Sequence, residues 1–440
     1  MPKKIAMVAI LAAAGAAQAA DNADLAAIRA QIDEMKKSYE QRIAALEQKL
    51  AQAESRAEPP VATAAPTVAA PVSSASAFNP EVSLILQGQY RNQKDVPGRG
   101  ISGFVPSGAF ANKRGFSVDE TELMLAANID PYWRGQAVVA MIDGQANIEE
   151  AWVQSLAIGN GIGLKAGRYR SGIGYLNEQH PHQHDFNDVP LMYQAMFEDG
   201  AYAQDGVQLK WLAPTPLFVE FGTEFGRGAS FPGTDRNKNG NGGGAVYAHI
   251  GDDLGVANSW RAGLSVLHTT AKARQADFTD LAGSTVSGAF SGDSSTFIAD
   301  FVWKWAPNGN PAFQNFKFQS EYFLRRENGT LGTNAWVDDY RTRQSGWYAQ
   351  GVYQFTPNWR AGLRYEQLDS GQRDFGANAA NLMLADYRPK KASAMVDYSW
   401  SEFSRVRLQL AQDKSMLGIT DNQLTLQYVM SLGAHGAHKF

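Results

Sequence analysis

From Phe78 to the C-terminus, large apolar side chains occupy one parity of the chain and polar or small ones the other. Leu217, Val219, Phe221 and Phe225 alternate with Glu220, Gly222 and Glu224, and Phe297, Ala299, Phe301, Trp303 and Trp305 alternate with Asp300 and Lys304. Trp359, Ala361, Leu363 and Tyr365 alternate with Arg360, Arg364 and Glu366, and Val406, Leu408 and Leu410 with Arg405, Arg407 and Gln409. Period-two alternation predicts β-strands. A soluble sandwich alternates too, but ionised groups at every second position of many strands require a wet interior, and a transmembrane β-barrel supplies one. About sixteen such segments occur, each near the ~10 residues that a tilted strand needs to cross a bilayer. They begin near Val82, Val118, Trp133, Ile148, Ile162, Gln204, Leu217, Gly244, Ser259, Thr296, Asn315, Gly346, Trp359, Lys391, Ser404 and Gln423. The expected class is therefore all-β, an antiparallel transmembrane barrel.

The connections alternate in length. Tight turns at Asp130, Gly159, Ala213, Thr356 and Ser401 interleave with longer segments rich in Gly, Asn and Asp, near 91–117, 171–203, 226–243, 269–295, 326–345 and 369–390. Short turns at one end and long loops at the other are the pattern of outer-membrane barrels, and an even strand count puts both chain ends on the periplasmic side.

Before residue 78 the texture differs. Lys3 and Lys4, the apolar run Ile5 to Ala16 and Ala17-Gln18-Ala19 read as a cleavable signal peptide over residues 1–19, too short in its apolar part for a spanning helix. Within 20–56, Leu25, Ile28, Ile32, Met35, Tyr39, Ile43, Leu46, Leu50 and Ala53 form a heptad-like seam with one stutter, flanked by charged residues. One helix cannot bury that stripe. It calls for identical neighbours, a trimer being the expected homo-oligomer for a porin, or for another surface to pack on. Residues 57–77 (AEPPVATAAPTVAAPVSSASA) are a semi-extended linker, leaving 78–440 as the barrel domain.

Composition narrows the classes further. Forty Lys and Arg against 44 Asp and Glu give a formal net charge of −4, which offers no basic field for nucleic acid. The absence of cysteine excludes disulfides, a thiol nucleophile and a cysteine zinc site, and suits the cell envelope. No G-x-S-x-G elbow or H-E-x-x-H helix occurs, so an enzyme is not expected.

Leu424, Leu426, Tyr428, Met430 and Leu432 share parity with Phe440, a C-terminal aromatic that resembles the signal read by the Gram-negative barrel-insertion machinery. Trp133, Trp211, Trp260, Trp305, Trp359 and Trp400 stand near strand ends, where they would meet the interfaces of outer-membrane lipid. In pattern the chain resembles the phosphate-selective-porin-like group of outer-membrane channels. FNPEVSLILQGQY from Phe78, GIGYLNEQHPHQHDFNDVPL from Gly172 and the closing SLGAHGAHKF are similar to a proteobacterial family labelled zinc-regulated, and in some members TonB-dependent, outer-membrane receptor. A TonB-dependent transporter has 22 strands around a globular plug, and residues 21–77 here are heptads and linker.

Two sets of residues carry the candidate chemistry. His180, His182 and His184 with Glu178, Asp185 and Asp188 could bind Zn²⁺ or Cu²⁺ in a loop that folds inward, or could be a solvated polar segment. No cofactor is required by this reading, and zinc is the metal such a loop would take. Lys317, Arg325, Arg360, Arg364, Arg405 and Arg407, with Glu321 and Glu366, fall on the polar parity and are expected to line the pore. They would favour anions, or neutralise one another as a ladder. The expected function is a passive or weakly selective channel for small hydrophilic solutes or ions. A metal-uptake receptor and a tether between outer membrane and cell wall are the alternatives.

Overall fold

The computed structural model describes residues 80–104, 113–197, 200–383 and 386–433. The signal peptide, the heptad seam, the linker, His435, His438 and Phe440 lie outside the described residues. Seventeen strand segments follow one another: β1 Glu81–Asn92, β2 Gly115–Val118, β3 Thr121–Asn128, β4 Trp133–Ile142, β5 Gln145–Ser155, β6 Ile162–Arg170, β7 Ala203–Leu212, β8 Phe218–Gly226 and β9 Gly243–Leu254. The rest are β10 Asn258–Thr279, β11 Thr285–Trp305, β12 Asn315–Gly332, β13 Val337–Thr356, β14 Trp359–Asp374, β15 Lys390–Ser401, β16 Ser404–Lys414 and β17 Asp421–Gly433. Each pairs antiparallel with its sequence neighbour, β1 closes on β17 from Ser83↔Gly433 to Asn92↔Leu424, and β2 and β3 both pair with β1 as two pieces of one strand. The result is a closed sixteen-strand barrel, at the positions the alternation marks.

The surface is inverted relative to a water-soluble protein. Outward side chains such as Phe221, Phe225, Leu264, Leu363, Leu410 and Leu426 are exposed, while the inward parity buries Gln208, Glu224, Gln319, Glu321, Arg325, Glu366 and Arg407. An apolar band this extensive needs a non-aqueous neighbour, and a lipid bilayer is that neighbour for a closed sheet with no free edge. The six tryptophans named above all stand at strand ends beside the short connections, and Trp359, Tyr398 and Trp400 make edge-to-face ring contacts there.

Local chemistry sets the turns. Asp143 and Gly144 join β4 to β5 with φ of 54° and 76°, both left-handed, as a two-residue hairpin matching strand twist requires. This connection lies at the long-loop end, so that end includes a tight turn as well.

Two of the expected long loops are strand instead. Residues 269–295 and 326–345 belong almost wholly to β10, β11, β12 and β13, and only 280–284 and 333–336 remain as connections. Their Gly and Ser content reads as loop. The strands persist because Ala271, Phe278, Phe290, Leu331, Tyr340, Phe375 and Leu382 form a second apolar cluster beyond the membrane band. Tyr340 stacks on Phe375 at 5.5 Å, and Phe278 meets Phe375 edge-on.

Candidate functional site: the inward-folded third connection

Residues 171–197 and 200–202, between β6 and β7, fold into the barrel rather than out of it. Asn177 locks the neck of this segment, its Nδ2 donating to the carbonyls of Ser171 and Tyr202 at 2.7 and 2.9 Å while its Oδ1 accepts from the Tyr202 amide at 2.7 Å. The ascending limb is then pinned to the wall. The Gly172 amide donates to Glu224 at 2.9 Å, that of Gly174 to Ser265 Oγ at 3.1 Å and that of Tyr175 to Glu321 at 2.8 Å. Gly174 is obligatory here. Its φ is +66°, and a Cβ would stand 2.5 Å from Glu321 Oε1.

Beyond a 3₁₀ turn at Pro181–Gln183 the segment crosses to β12–β16. Asp185 pairs with Lys317 at 2.5 Å and Arg360 at 3.2 Å. Asp188 accepts from Arg364 at 2.7 Å, Lys391 at 2.6 Å and Gln409 at 2.7 Å, one partner from each of three successive strands. Burial alone would push both carboxyls up, but Lys317 and Arg360 beside Asp185, and Arg364 and Lys391 beside Asp188, hold them well below the ordinary carboxylate range. Arg405 and Arg407 donate to the carbonyls of His182 and His184 at 2.9 and 3.0 Å.

The returning limb carries a short helix, α1 Leu191–Met196, buried except at Gln194. Six residues cannot hold a helix in water, so packing holds this one. Leu191, Met192, Tyr193, Met196, Phe197 and Tyr202 join wall residues Tyr247, Leu267, Ile298, Phe323, Tyr348 and Leu368 in a dry cluster inside the barrel. Glu321 sits at its edge, accepting from the hydroxyls of Tyr193 at 3.0 Å and Tyr348 at 2.6 Å. Arg325 donates to the Ala195 carbonyl.

All eight residues expected to line the pore thus face the interior. Arg364, Glu366, Arg325, Glu321 and Arg407 are buried against the inserted segment or the wall, whereas Lys317 and Arg360 keep partial exposure. The anion ladder is largely neutralised: Arg360 and Arg407 also share Asp397, and Arg364 also meets Glu366.

The six residues expected to share a metal do not converge. Glu178 pairs with Lys210 at 2.9 Å, Asp185 and Asp188 are consumed by the clamp, and His184 donates through Nε2 to the Gln179 carbonyl at 3.2 Å. Burial, then Arg170, push the His184 imidazole down to about 3, so it is neutral. An extended H-x-H-x-H could present all three rings to one side, but the turn at Pro181 separates them. His180 and His182 stay together, their rings 5.9 Å apart, and meet Glu122 of β3 and Glu149 and Glu150 of β5. Burial and Arg170 oppose protonation of His180, and those carboxylates outweigh them, holding it well above the ordinary imidazole value.

Glu122, Glu149 and Glu150 are not evident from strand alternation, and two β-bulges explain why. Val138 pairs with Glu150 and Val139 with Ile148, so Glu149 is an extra residue and both glutamates reach the interior. Likewise Gly88 pairs with Val118 but Ile85 with Glu122, leaving three residues of the second strand opposite two of β1. The available signal was the Glu149-Glu150 doublet within a strand, since strict alternation would put one of them in lipid.

No protein-family model matches the chain. An uncharacterized protein of Aquifex aeolicus (strain VF5) is 28% identical over 399 residues, covering 83% of this chain and 81% of that one. Among solved structures, the trimer form of in-vitro folded OmpT, an outer membrane protein of Vibrio cholerae, superposes with a TM-score of 0.50 at 11% identity, over 80% of this chain and 99% of that one. The fold is that of an outer-membrane barrel. The outer membrane channel DcaP of Acinetobacter baumannii (TM-score 0.46, 12% identity, 80% and 97% covered) and an anion-selective porin from Comamonas acidovorans (0.46, 8%, 80% and 99%) are more distant. None of these four bears a zinc-regulated or TonB-dependent name.

Proposed function

We propose that the protein is a bacterial outer-membrane channel that passes small hydrophilic solutes or ions through a lumen narrowed by residues 171–202. The observation that carries this reading is the inserted segment itself: a polar barrel interior crossed by one connection and clamped by charged side chains from opposite walls. Water-facing charge persists beside the short turns, where Lys210, Glu220 and Arg261 keep 25%, 20% and 27% of their side-chain surface. Because Lys317, Arg360, Arg364, Lys391 and Arg407 each pair with Asp185, Asp188, Glu366 or Asp397, any anion preference should be weak.

Conductance in planar bilayers tests the proposal. The wild-type protein should give small unitary steps, and Asp185→Asn with Asp188→Asn should enlarge them several-fold by releasing the segment from β12–β16. Absence of channels in both folded proteins would sink the reading.

A further inference from the structure

Ahead of the clamp the segment brings the rings of His180 and His182 against β3 and β5, where the two bulges have turned glutamates inward. Glu122, Glu149 and His180 each place one ligating atom within 4.8 Å of the others. His180 Nδ1 lies 3.1 Å from Glu122 Oε2 and 3.2 Å from Glu149 Oε2. A tetrahedral cation with bonds of about 2.0–2.2 Å separates its ligand atoms by about 3.3–3.6 Å, so these two spacings need only a small expansion. Nδ1 is buried, yet with two oxygens at that range it has no hydrogen bond of acceptable geometry, and the nearby Glu120 Oε1 is likewise buried without a partner.

The surroundings fit the same purpose. His182 Nδ1 holds the other Glu122 oxygen at 2.9 Å, and the Arg170 backbone amide donates to Glu150 at 3.2 Å, fixing carboxylates beside the site as metal centres require. The Arg170 guanidinium lies 3.0 Å from Glu149 Oε2 and offsets one charge, against the carboxylates of Glu122, Glu149 and Glu150. One imidazole with two carboxylates and an open position is a donor set for a borderline divalent cation rather than for Ca²⁺ or Mg²⁺, which prefer oxygen alone.

We propose that His180, Glu122 and Glu149 form a binding site for a divalent first-row transition cation, which fastens the inserted segment to β3 and β5. The clamp at Asp185 and Asp188 holds one side of the segment by charge pairs, and the cation would hold the other. This does not rest on the channel reading, because binding is measured on the purified protein whether or not it conducts.

Full-length protein refolded in detergent and stripped with chelator should take up one equivalent of Zn²⁺ by calorimetry and elemental analysis, and amide exchange over residues 176–186 should slow when it does. His180→Ala and the isosteric Glu149→Gln should each weaken binding at least tenfold, while His268→Ala, at an exposed histidine on β10, should leave it intact. Heat-modifiable electrophoretic mobility verifies that each variant barrel is folded. Folded wild-type protein that takes up no stoichiometric Zn²⁺, or two folded variants that retain it, would overturn the assignment and leave His180 as a protonated partner of its carboxylates.

Discussion

Asp188 shows how much of this molecule turns on single side chains. Its carboxylate collects Arg364, Lys391 and Gln409 from β14, β15 and β16, positions 176, 203 and 221 residues further along the chain. Removing one partner of a buried pair leaves uncompensated charge, at a cost of roughly 3–5 kcal/mol. The pH dependence follows from the direction of the shift. A carboxyl whose folded value is depressed contributes fully above its ordinary value of about 3.9 and loses that contribution as pH falls toward the folded value. Both Asp185 and Asp188 are depressed, so the segment should stay anchored from pH 8 to 5 and loosen only below about pH 4. Single-channel current recorded across that range should rise only at the acid end, and in Asp188→Asn that part of the response should be lost. A rise centred near pH 6 would point to a histidine instead.

At the scale of elements, the barrel staves and the inserted segment were legible to different degrees. Stave positions could be read from alternation because each strand separates lipid from interior by itself, without reference to its neighbours. The lengths of β10–β13 could not. Their outer halves are held by Phe278, Phe290, Leu331, Tyr340 and Phe375, which come together only when four strands and the start of the connection after β14 are assembled. Phe375→Ala removes the ring that contacts both Phe278 and Tyr340. A buried Phe→Ala change costs about 3–5 kcal/mol. Hydrogen exchange should therefore speed up at residues 272–290 and 329–341, with unchanged protection in the membrane-facing stretches of the same strands. Uniform loss throughout the barrel would contradict a separate outer cluster.

For the whole molecule, the decisive feature is closure. β1 and β17 pair over ten positions, so no stave depends on residues before Pro80 for a hydrogen-bonding partner. Deleting residues 21–77 should accordingly leave a heat-modifiable barrel in detergent. If the heptad seam joins subunits, native light scattering should show the mass fall to a single chain after the deletion, whereas an unchanged mass would assign assembly to the barrel surfaces.

The all-β class, the sixteen staves, the inward and outward parities and the inward placement of Lys317, Glu321, Arg325, Arg360, Arg364, Glu366, Arg405 and Arg407 follow from alternation alone. These are local consequences of a strand standing between two different solvents, and each stretch of about ten residues records them independently. Tertiary structure decided the partners. Whether Arg364 faces open water or Asp188 depends on a 32-residue connection finding a wall more than a hundred residues distant along the chain, and whether His180 meets His184 or Glu149 depends on two bulges that shift side-chain parity by one residue. Neither leaves a periodic trace, because a bulge is a single inserted residue and a long-range contact is fixed only once the sheet has closed.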